Sequence, residues 1–131
     1  MDMPLEQKEI IARNSDSPEV LAKLAKDQNY FVRYAVAENS YISPELLSEL
    51  AKDQNIFVRG AVAANLHTPA EALSKLAKDQ HVFVRRNVVG NIHTPTEVLS
   101  DMAKDQDENV RKKAEQNLSR KQAEESPEMS M

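Results

Sequence analysis

Four aspartates and four arginines recur at a fixed interval, and they are the side chains that stand out for their chemistry. The aspartates are Asp27, Asp53, Asp79 and Asp105, and the arginines are Arg33, Arg59, Arg85 and Arg111. Both sets advance by 26 residues. A row of carboxylates would repel itself unless each one had a partner, and a guanidinium offers forked donors that fit a carboxylate. The spacing therefore predicts structural ion pairs within a unit or between neighbouring units.

Two histidines, His67 and His93, occupy equivalent positions and are candidate metal ligands. No third ligand clusters with them, and Tyr41 stands near the same place in the earlier unit. A protein zinc site uses at least three side chains. We therefore interpret this position as part of a loop between helices that accepts different residue types. The chain has no cysteine, which excludes disulfides, zinc–thiolate sites and iron–sulfur clusters. With no glycine-rich phosphate loop and no nucleophile–base pattern, the sequence predicts a non-enzymatic protein without a metal or cofactor.

The secondary-structure elements that position these residues repeat with the same interval. Each 26-residue unit is predicted to contain two short helices. The first opens with a hydroxyl residue followed by proline, which suits an N-cap and a first helical position. These hydroxyl residues are Ser17, Ser43, Thr68 and Thr94, the two threonines having capping-box spacing to a glutamate. An apolar stripe at Leu21, Leu24 and Ala25 recurs in the later units.

The second helix of each unit follows an Asp-Gln pair, and the aspartate could also cap it. Its predicted buried stripe contains Phe31, Val32, Ala35 and Val36 in the first copy, with Phe57 and Phe83 matching Phe31 in the next two. The recurrent Asn39, Asn65, Asn91 and Asn117 are interpreted as left-handed stops at the ends of these helices. Because both helices are short, the alternative that one of each pair is a 3₁₀ helix stays open.

The ends of the array differ from its middle. Residues 5–14 align with a lone second helix, and the last second helix is polar, with Asn109 in place of phenylalanine. We therefore predict an all-α array of nine helices over 1–118, with repeats at about 17–42, 43–67, 68–93 and 94–118. The charged residues 119–131 are predicted to form a disordered tail.

The repeated pattern resembles that of a known family. The stretches SPEVLAKLAKDQNYFVRYAVAEN, SPELLSELAKDQNIFVRGAVAAN and TPAEALSKLAKDQHVFVRRNVVGN are similar to the leucine-rich repeat variant family over about residues 9–118. The resemblance implies a right-handed α-solenoid of about four 26-residue repeats, with an N-terminal half-repeat and a polar C-terminal cap. The Asp and Val-Arg elements also look like those of HEAT-type and armadillo-like repeats. An iron–sulfur cluster found in one member of the family cannot transfer to a chain without cysteine.

Two functions fit such an array. The first is a scaffold that binds a protein or peptide, since a solenoid acquires specificity through exposed positions that vary between repeats. The second is nucleic-acid binding or processing through Arg85, Arg86 and a basic C-terminal cluster, which a net charge of −4 disfavours. The cluster is Arg111, Lys112, Lys113, Arg120 and Lys121. A charged N-terminus and the lack of an 18-residue apolar run predict a cytoplasmic protein that does not enter the membrane.

The predicted binding face lies on the second helices, at positions four residues apart where the copies disagree. These positions are Tyr30, Tyr34 and Glu38, then Ile56, Gly60 and Ala64, then Val82, Arg86 and Gly90. Both glycines of the chain lie here, although glycine inside a helix costs up to about 1 kcal/mol relative to alanine. We expect a shallow groove floored by Gly60 and Ala64 and flanked by Tyr30, Tyr34 and Arg86. The alternative is that these are ordinary exposed positions where the residue type varies between copies without any role in binding.

Overall fold

The computed structural model describes residues 3–125, and within them it contains nine α-helices and no strand. In chain order these are α1 (Leu5–Asn14), α2 (Pro18–Leu24), α3 (Tyr30–Ala37), α4 (Pro44–Leu50), α5 (Ile56–Ala64), α6 (Ala70–Leu76), α7 (Val82–Gly90), α8 (Thr96–Met102) and α9 (Glu108–Glu125). The all-α class is confirmed. Both helices of each pair are α-helical, which answers the question about 3₁₀ geometry.

The first two even-numbered helices begin as the sequence predicts. The Ser17 hydroxyl accepts a hydrogen bond from the amide of Val20 at 3.4 Å, and the Ser43 hydroxyl accepts one from Leu46 at 3.1 Å. Proline follows each serine at the first helical position, where it has no amide to leave unpaired. A glutamate then places negative charge in the first turn, which the helix dipole favours.

The capping-box prediction for Thr68 and Thr94 is wrong. The Thr68 hydroxyl instead donates backward to the carbonyl of Val62 at 2.5 Å, and Thr94 makes the equivalent bond to Val88. Thr68 lies 26 residues after the buried Ile42, so it takes that apolar site and Pro69 becomes the N-cap. A hydroxyl buried in an apolar site needs a partner, and the end of the preceding helix provides one.

The core runs the length of the array between the odd-numbered and even-numbered helices. Each even helix contributes one fully buried leucine, and α3, α5 and α7 each contribute two fully buried valines at equivalent positions, to which α7 adds Val89. The residues at equivalent positions are Leu21, Leu47, Leu73, Leu99, Val32, Val36, Val58, Val62, Val84 and Val88. Consecutive odd helices pack against one another, and each even helix packs on the odd helix that follows it. The repeated apolar positions therefore form one continuous core.

The recurring arginines and aspartates form ion pairs between neighbouring units, as the spacing predicts. Arg59 donates from Nε to Oδ2 of Asp79 at 2.7 Å and from Nη2 to Oδ1 at 3.2 Å. Its Nη1 donates to the backbone carbonyl of Asp53 at 2.8 Å. Arg33, Arg59 and Arg85 thus each join the aspartate of their own unit to that of the next, whereas within residues 3–125 Arg111 hydrogen-bonds only to the carbonyl of Asp105. The other pairs of this kind are Arg33 with Asp53, Arg85 with Asp105, and Lys8 with Asp27.

The aspartates also organise the turn before each odd helix, but they are not the caps. Asp53 Oδ1 accepts a hydrogen bond from the amide of Asn55 at 2.9 Å. Asn55 is itself the N-cap of α5, where its side chain accepts from the amide of Phe57. Asp79 holds the amide of His81 in the same way. One carboxylate therefore fixes both a turn and an inter-unit contact.

Acidification should destabilise this chain through the paired aspartates. Burial alone would raise the pKa of Asp79, but hydrogen bonds from Arg59 and the His81 amide outweigh it and hold the pKa below 3.8. The hydrogen bond from Lys8 likewise lowers the pKa of Asp27. A lowered folded-state pKa gives stability that is complete above the unfolded pKa and is lost as the pH falls through the folded value.

We therefore expect the urea midpoint to fall progressively from about pH 5 towards pH 2. In Asp79→Asn the stability at pH 7 should be lower, and the loss on acidification smaller, than in wild type. A variant with the same pH slope as wild type would show that Asp79 does not contribute to the acid response.

The recurrent asparagines connect units. Asn65 and Asn91 end their helices as predicted, whereas Asn117 lies inside α9, and the left-handed interpretation is wrong. No residue in 3–125 has positive φ, and Asn65 and Asn91 are extended, with φ of −71° and −75°. Asn91 Nδ2 donates to the carbonyls of Ala63 at 2.8 Å and Asn65 at 3.0 Å, in the preceding unit. Its Oδ1 accepts from the amide of His93 at 2.9 Å. The amide side chain recurs because it satisfies carbonyls that end the previous odd helix.

The last helix is longer than the sequence predicts. The predicted disordered tail begins at residue 119, whereas α9 continues to Glu125; residues 126–131 lie outside the described part of the chain. Helix α9 packs against α8, Leu118 just before the extension packs against the core, and Lys121 within the extension donates to the carbonyl of Thr94. These contacts hold a polar segment that has little intrinsic reason to fold alone.

Candidate functional site

Three phenylalanines at equivalent positions lie on the outer surface of the odd helices. Phe31, Phe57 and Phe83 have 49%, 44% and 40% of their surface exposed, so their assignment to the buried stripe is wrong. The residues that fill the core on α3 are Val32, Ala35 and Val36, and Phe31 projects to the side of that stripe. A contiguous row of exposed aromatic side chains is uncommon on a monomer and marks a candidate binding surface.

The phenylalanines form an aromatic cleft together with two tyrosines. Tyr30 stacks on Phe31 with ring centroids 4.4 Å apart, and it also stacks on Phe57 at 6.2 Å. Phe57 meets Phe83 edge to face at 5.6 Å. Tyr34 completes the lining of a cleft of about 310 Å³. Because the rings hold one another across three helices, this surface is preorganised for an apolar or aromatic group.

A second depression, the α5 groove, adjoins this cleft and has a volume of about 330 Å³. Gly60, Ala61 and Ala64 of α5 form its floor, because these small residues lie lower than the side chains of the helices on either side. Tyr34 and Glu38 line it from α3, and Phe83 and Asn87 line it from α7. Leu66, which is 54% exposed, borders it from the following loop. Tyr34 and Phe83 line both depressions, so the two are continuous.

The structure brings five of the nine predicted site residues together. Tyr34, Glu38, Gly60 and Ala64 line the α5 groove, and Tyr30 lines the aromatic cleft. The predicted floor is therefore present, while Phe83 and Asn87 occupy the side of the groove predicted for Arg86.

The other four predicted residues line neither depression. Ile56 and Val82 are half-buried, and Val82 packs against the core. Arg86 is exposed on the same face, 3.8 Å from Asp107. Gly90 ends α7 and lies in a separate depression beside Lys113 and Arg120.

The glycine at position 60 is explained by internal packing. Gly60 is buried, and a Cβ placed there would lie 2.4 Å from Cε2 of Phe83. The Phe83 ring therefore rests directly on the α5 backbone. A Cβ at Gly90 would meet no heavy atom within 4 Å. The two glycines of the chain thus have different physical roles.

We expect Gly60→Ala and Gly90→Ala to shift stability in opposite directions. Gly90→Ala should raise the melting temperature slightly, because alanine is favoured over glycine in a helix by up to about 1 kcal/mol. Gly60→Ala should lower it, because the Phe83 ring must leave its position on the helix. Thermal denaturation of the two variants in parallel tests this, and a more stable Gly60→Ala would mean that Phe83 moves away at no cost.

A signal for the exposed phenylalanines is present in the sequence. The last unit has Asn109 at their position, and the first helix has Glu6 near it. A position that accepts asparagine and glutamate in other copies is seldom in a core. Asn109 therefore indicates an exposed row as well as a polar cap.

The electrostatic character of the two depressions comes from one residue. Glu38 is the only Asp, Glu, Lys or Arg among their lining residues, and its Oε1 accepts from Nη2 of Arg13 at 2.8 Å. Burial and the nearby Glu38 carboxylate together raise the pKa of the Tyr34 hydroxyl above 10.0, so the phenol stays protonated as a donor. No cluster of three metal-ligating side chains occurs in residues 3–125.

Comparison of the chain with protein-family models, with curated proteins and with solved structures gives no match. No helix within the described residues has the length and apolar character needed to cross a bilayer.

Proposed function

We propose that this chain is a right-handed α-solenoid of about four two-helix repeats, with an N-terminal half-repeat and a polar C-terminal cap. It acts as a cytoplasmic, non-enzymatic scaffold that binds a protein or peptide on the face formed by α1, α3, α5, α7 and α9, which we call the odd-helix face. The leucine-rich repeat variant pattern in the sequence is consistent with this architecture.

Helix packing supports a curved array with the odd-helix face on the inside. Each odd helix packs closely against the next odd helix along the chain. The even helices of residues 3–125 make at most marginal contact with one another. When one layer is closely spaced and the other is spread, the layers curve towards the closely spaced side. An inner face of this kind is the surface on which solenoids commonly bind.

The observation that carries the proposed function is the exposed aromatic row. Three aromatic rings, each at least 40% exposed, meet across three successive odd helices beside a groove with a small-residue floor. Aromatic residues in a pocket are frequent anchors of protein interfaces. Framework residues hold this surface rigidly, since each odd helix is tied to its neighbours by an arginine–aspartate pair and an asparagine bridge. A preorganised apolar surface loses little entropy on binding.

The nucleic-acid alternative finds less support in the geometry. Arg85 is 5% exposed and pairs with Asp105, so a phosphate could reach it only by breaking that pair. In the C-terminal cluster, Arg111 donates to the carbonyl of Asp105 and Lys121 donates to the carbonyl of Thr94. Binding to phosphates requires cations that are free to replace counterions. Absence of binding to a fluorescent oligonucleotide at low salt would remove this alternative.

The proposed function predicts that one substitution on the odd-helix face abolishes partner capture while a substitution on an even helix does not. Tagged wild-type protein, Phe57→Ser and Lys75→Glu would be used for affinity capture from the native host, with quantitative identification of the captured chains. Lys75 is 68% exposed on α6, which makes it a control on the opposite side. Circular dichroism should show that all three are folded at the assay temperature.

A partner captured by wild type and Lys75→Glu but lost by Phe57→Ser would support the proposal. Loss with Lys75→Glu and retention with Phe57→Ser would place the working surface on the even helices. Failure of wild type to capture any partner would contradict a scaffold role.

A further inference from the structure

The odd-helix face changes charge from one end of the array to the other. The equivalent helix position is Glu9 on α1, Tyr34 on α3, Gly60 on α5, Arg86 on α7 and Lys112 on α9. The ion pair of Lys8 with Asp27 fixes the register of α1, since it repeats that of Arg33 with Asp53. The buried Val110 fixes the register of α9, since it lies 26 residues after Val84. The row is thus acidic at its start, uncharged in its middle and basic at its end.

Neighbouring side chains strengthen this difference at both ends. Glu6 on α1 and Glu38 at the end of α3 add negative charge. The positive residues of these helices, Lys8, Arg13 and Arg33, are each paired with a carboxylate. At the other end the Arg86 side chain is 52% exposed and the Lys112 side chain 65%.

The counter-charges at the basic end leave its cations accessible. Asp107 lies 3.8 Å from Arg86, at the limit of an ion pair, and Glu108 pairs with Lys112 on an exposed helix turn. Exposed pairs of this kind contribute little and exchange readily with other partners. A carboxylate arriving from a partner can therefore bind Arg86.

The middle of the face is apolar over three helices. It consists of the aromatic cleft and the α5 groove, whose single charged lining residue, Glu38, lies at the α3 edge. A partner that matches the whole face must therefore present an apolar stretch between a positive and a negative group. Charge complementarity of this kind selects partners and fixes their register.

The shape of the face favours a narrow occupant over a second copy of the chain. Two inner faces pressed together would touch at their rims and leave the α5 groove unfilled, which forfeits packing energy. A single extended segment fits into the groove and the cleft. Neighbouring packed helices lie about 8–10 Å apart, so α3 and α7 are separated by roughly 16–20 Å. An extended chain rises about 3.3 Å per residue and spans that distance with about five or six residues.

We infer that the odd-helix face binds an extended peptide segment with a basic residue at one end, an acidic residue about six positions away, and apolar or aromatic residues between them. The basic residue lies at Glu38, the apolar residues fill the aromatic cleft and the α5 groove, and the acidic residue pairs with Arg86. This inference rests on the proposed function and specifies the chemistry of the partner.

A random dodecapeptide library displayed on phage and selected on the full chain tests the inference. The selected peptides should carry a basic and an acidic residue about six positions apart with apolar residues between. Synthetic, fluorescently labelled copies would then be titrated by fluorescence anisotropy at physiological salt. The variant is Arg86→Glu, and the matched control is Lys75→Glu, which makes the same charge change on the opposite side.

Arg86→Glu should weaken binding by at least about tenfold, and Lys75→Glu should leave it unchanged. Replacing the acidic residue of the peptide by lysine should restore binding to Arg86→Glu, which a merely structural role of Arg86 would not produce. Peptides without the charge order, or with equal affinity for Arg86→Glu and wild type, would overturn the inference. If such peptides still lost binding to Phe57→Ser, the proposed function would stand.

Selection of no peptide at all would also overturn the inference. If capture of a host protein nevertheless depended on Phe57, the face would bind a folded partner and the proposed function would stand. If neither a peptide nor a host protein bound, both proposals would fail.

Discussion

Replacing Arg59 by methionine should destabilise the chain by about 3 kcal/mol, because it leaves a largely buried carboxylate without its partner. The Asp79 side chain is 10% exposed and receives two hydrogen bonds from the guanidinium of Arg59. The substitution also leaves the carbonyl of Asp53 without its donor. Methionine keeps much of the apolar part of the arginine side chain. The loss of stability therefore measures the contribution of the positive charge and its hydrogen bonds. Thermal denaturation should show a fall of roughly 10 °C.

The matched control is Arg13→Met. Arg13 makes a 2.8 Å ion pair with Glu38, but the two side chains are 44% and 38% exposed. An exposed pair contributes less than about 1 kcal/mol, so this variant should melt close to wild type. Similar losses in the two variants would mean that burial does not set the strength of these pairs.

The second large effect is expected for Asn91→Ala. The Asn91 side chain is 6% exposed and bridges two carbonyls of the preceding unit while holding the turn at His93. Its loss leaves buried carbonyls unpaired, which costs about 2–3 kcal/mol. The matched control is Asn14→Ala at the start of the array, where the exposed side chain donates to Ile10 of its own helix.

Urea denaturation monitored by circular dichroism measures both asparagine variants. Asn14→Ala should lie within about 0.5 kcal/mol of wild type. If Asn91→Ala lost as little free energy of unfolding as Asn14→Ala, the asparagine bridges between units would not contribute to stability.

Local features of the fold were predictable because they repeat. The 26-residue interval places α2 to α8 and the start of α9, but not the extension of α9 to Glu125. Forked donors beside isolated carboxylates predict the ion pairs. The choice between pairing within a unit and pairing with the next one depends on how far apart units stack. Arg59 contacts both Asp53 of its own unit and Asp79 of the next, and the spacing of the residues alone does not show which contact is the ion pair.

Variation between the copies does not by itself mark exposure. The copies disagree at Gly60, which is buried, and at Tyr34 and Val82, which pack against the core. The row of Phe31, Phe57 and Phe83 was misplaced because a large apolar side chain was taken as core. The contact of Phe83 with Gly60 joins different units, so no helix pattern within one unit contains it.

The central claim is that the charged residues recur because they hold each unit to the next. A double-mutant cycle on Arg59 and Asp79 tests it most directly, with Arg59→Met, Asp79→Leu and the double variant unfolded in urea. We expect a coupling free energy of about 2–3 kcal/mol, with the double variant more stable than the sum of the single losses predicts. A coupling indistinguishable from zero would contradict the account, because the two residues would then be retained for a reason other than their mutual contact.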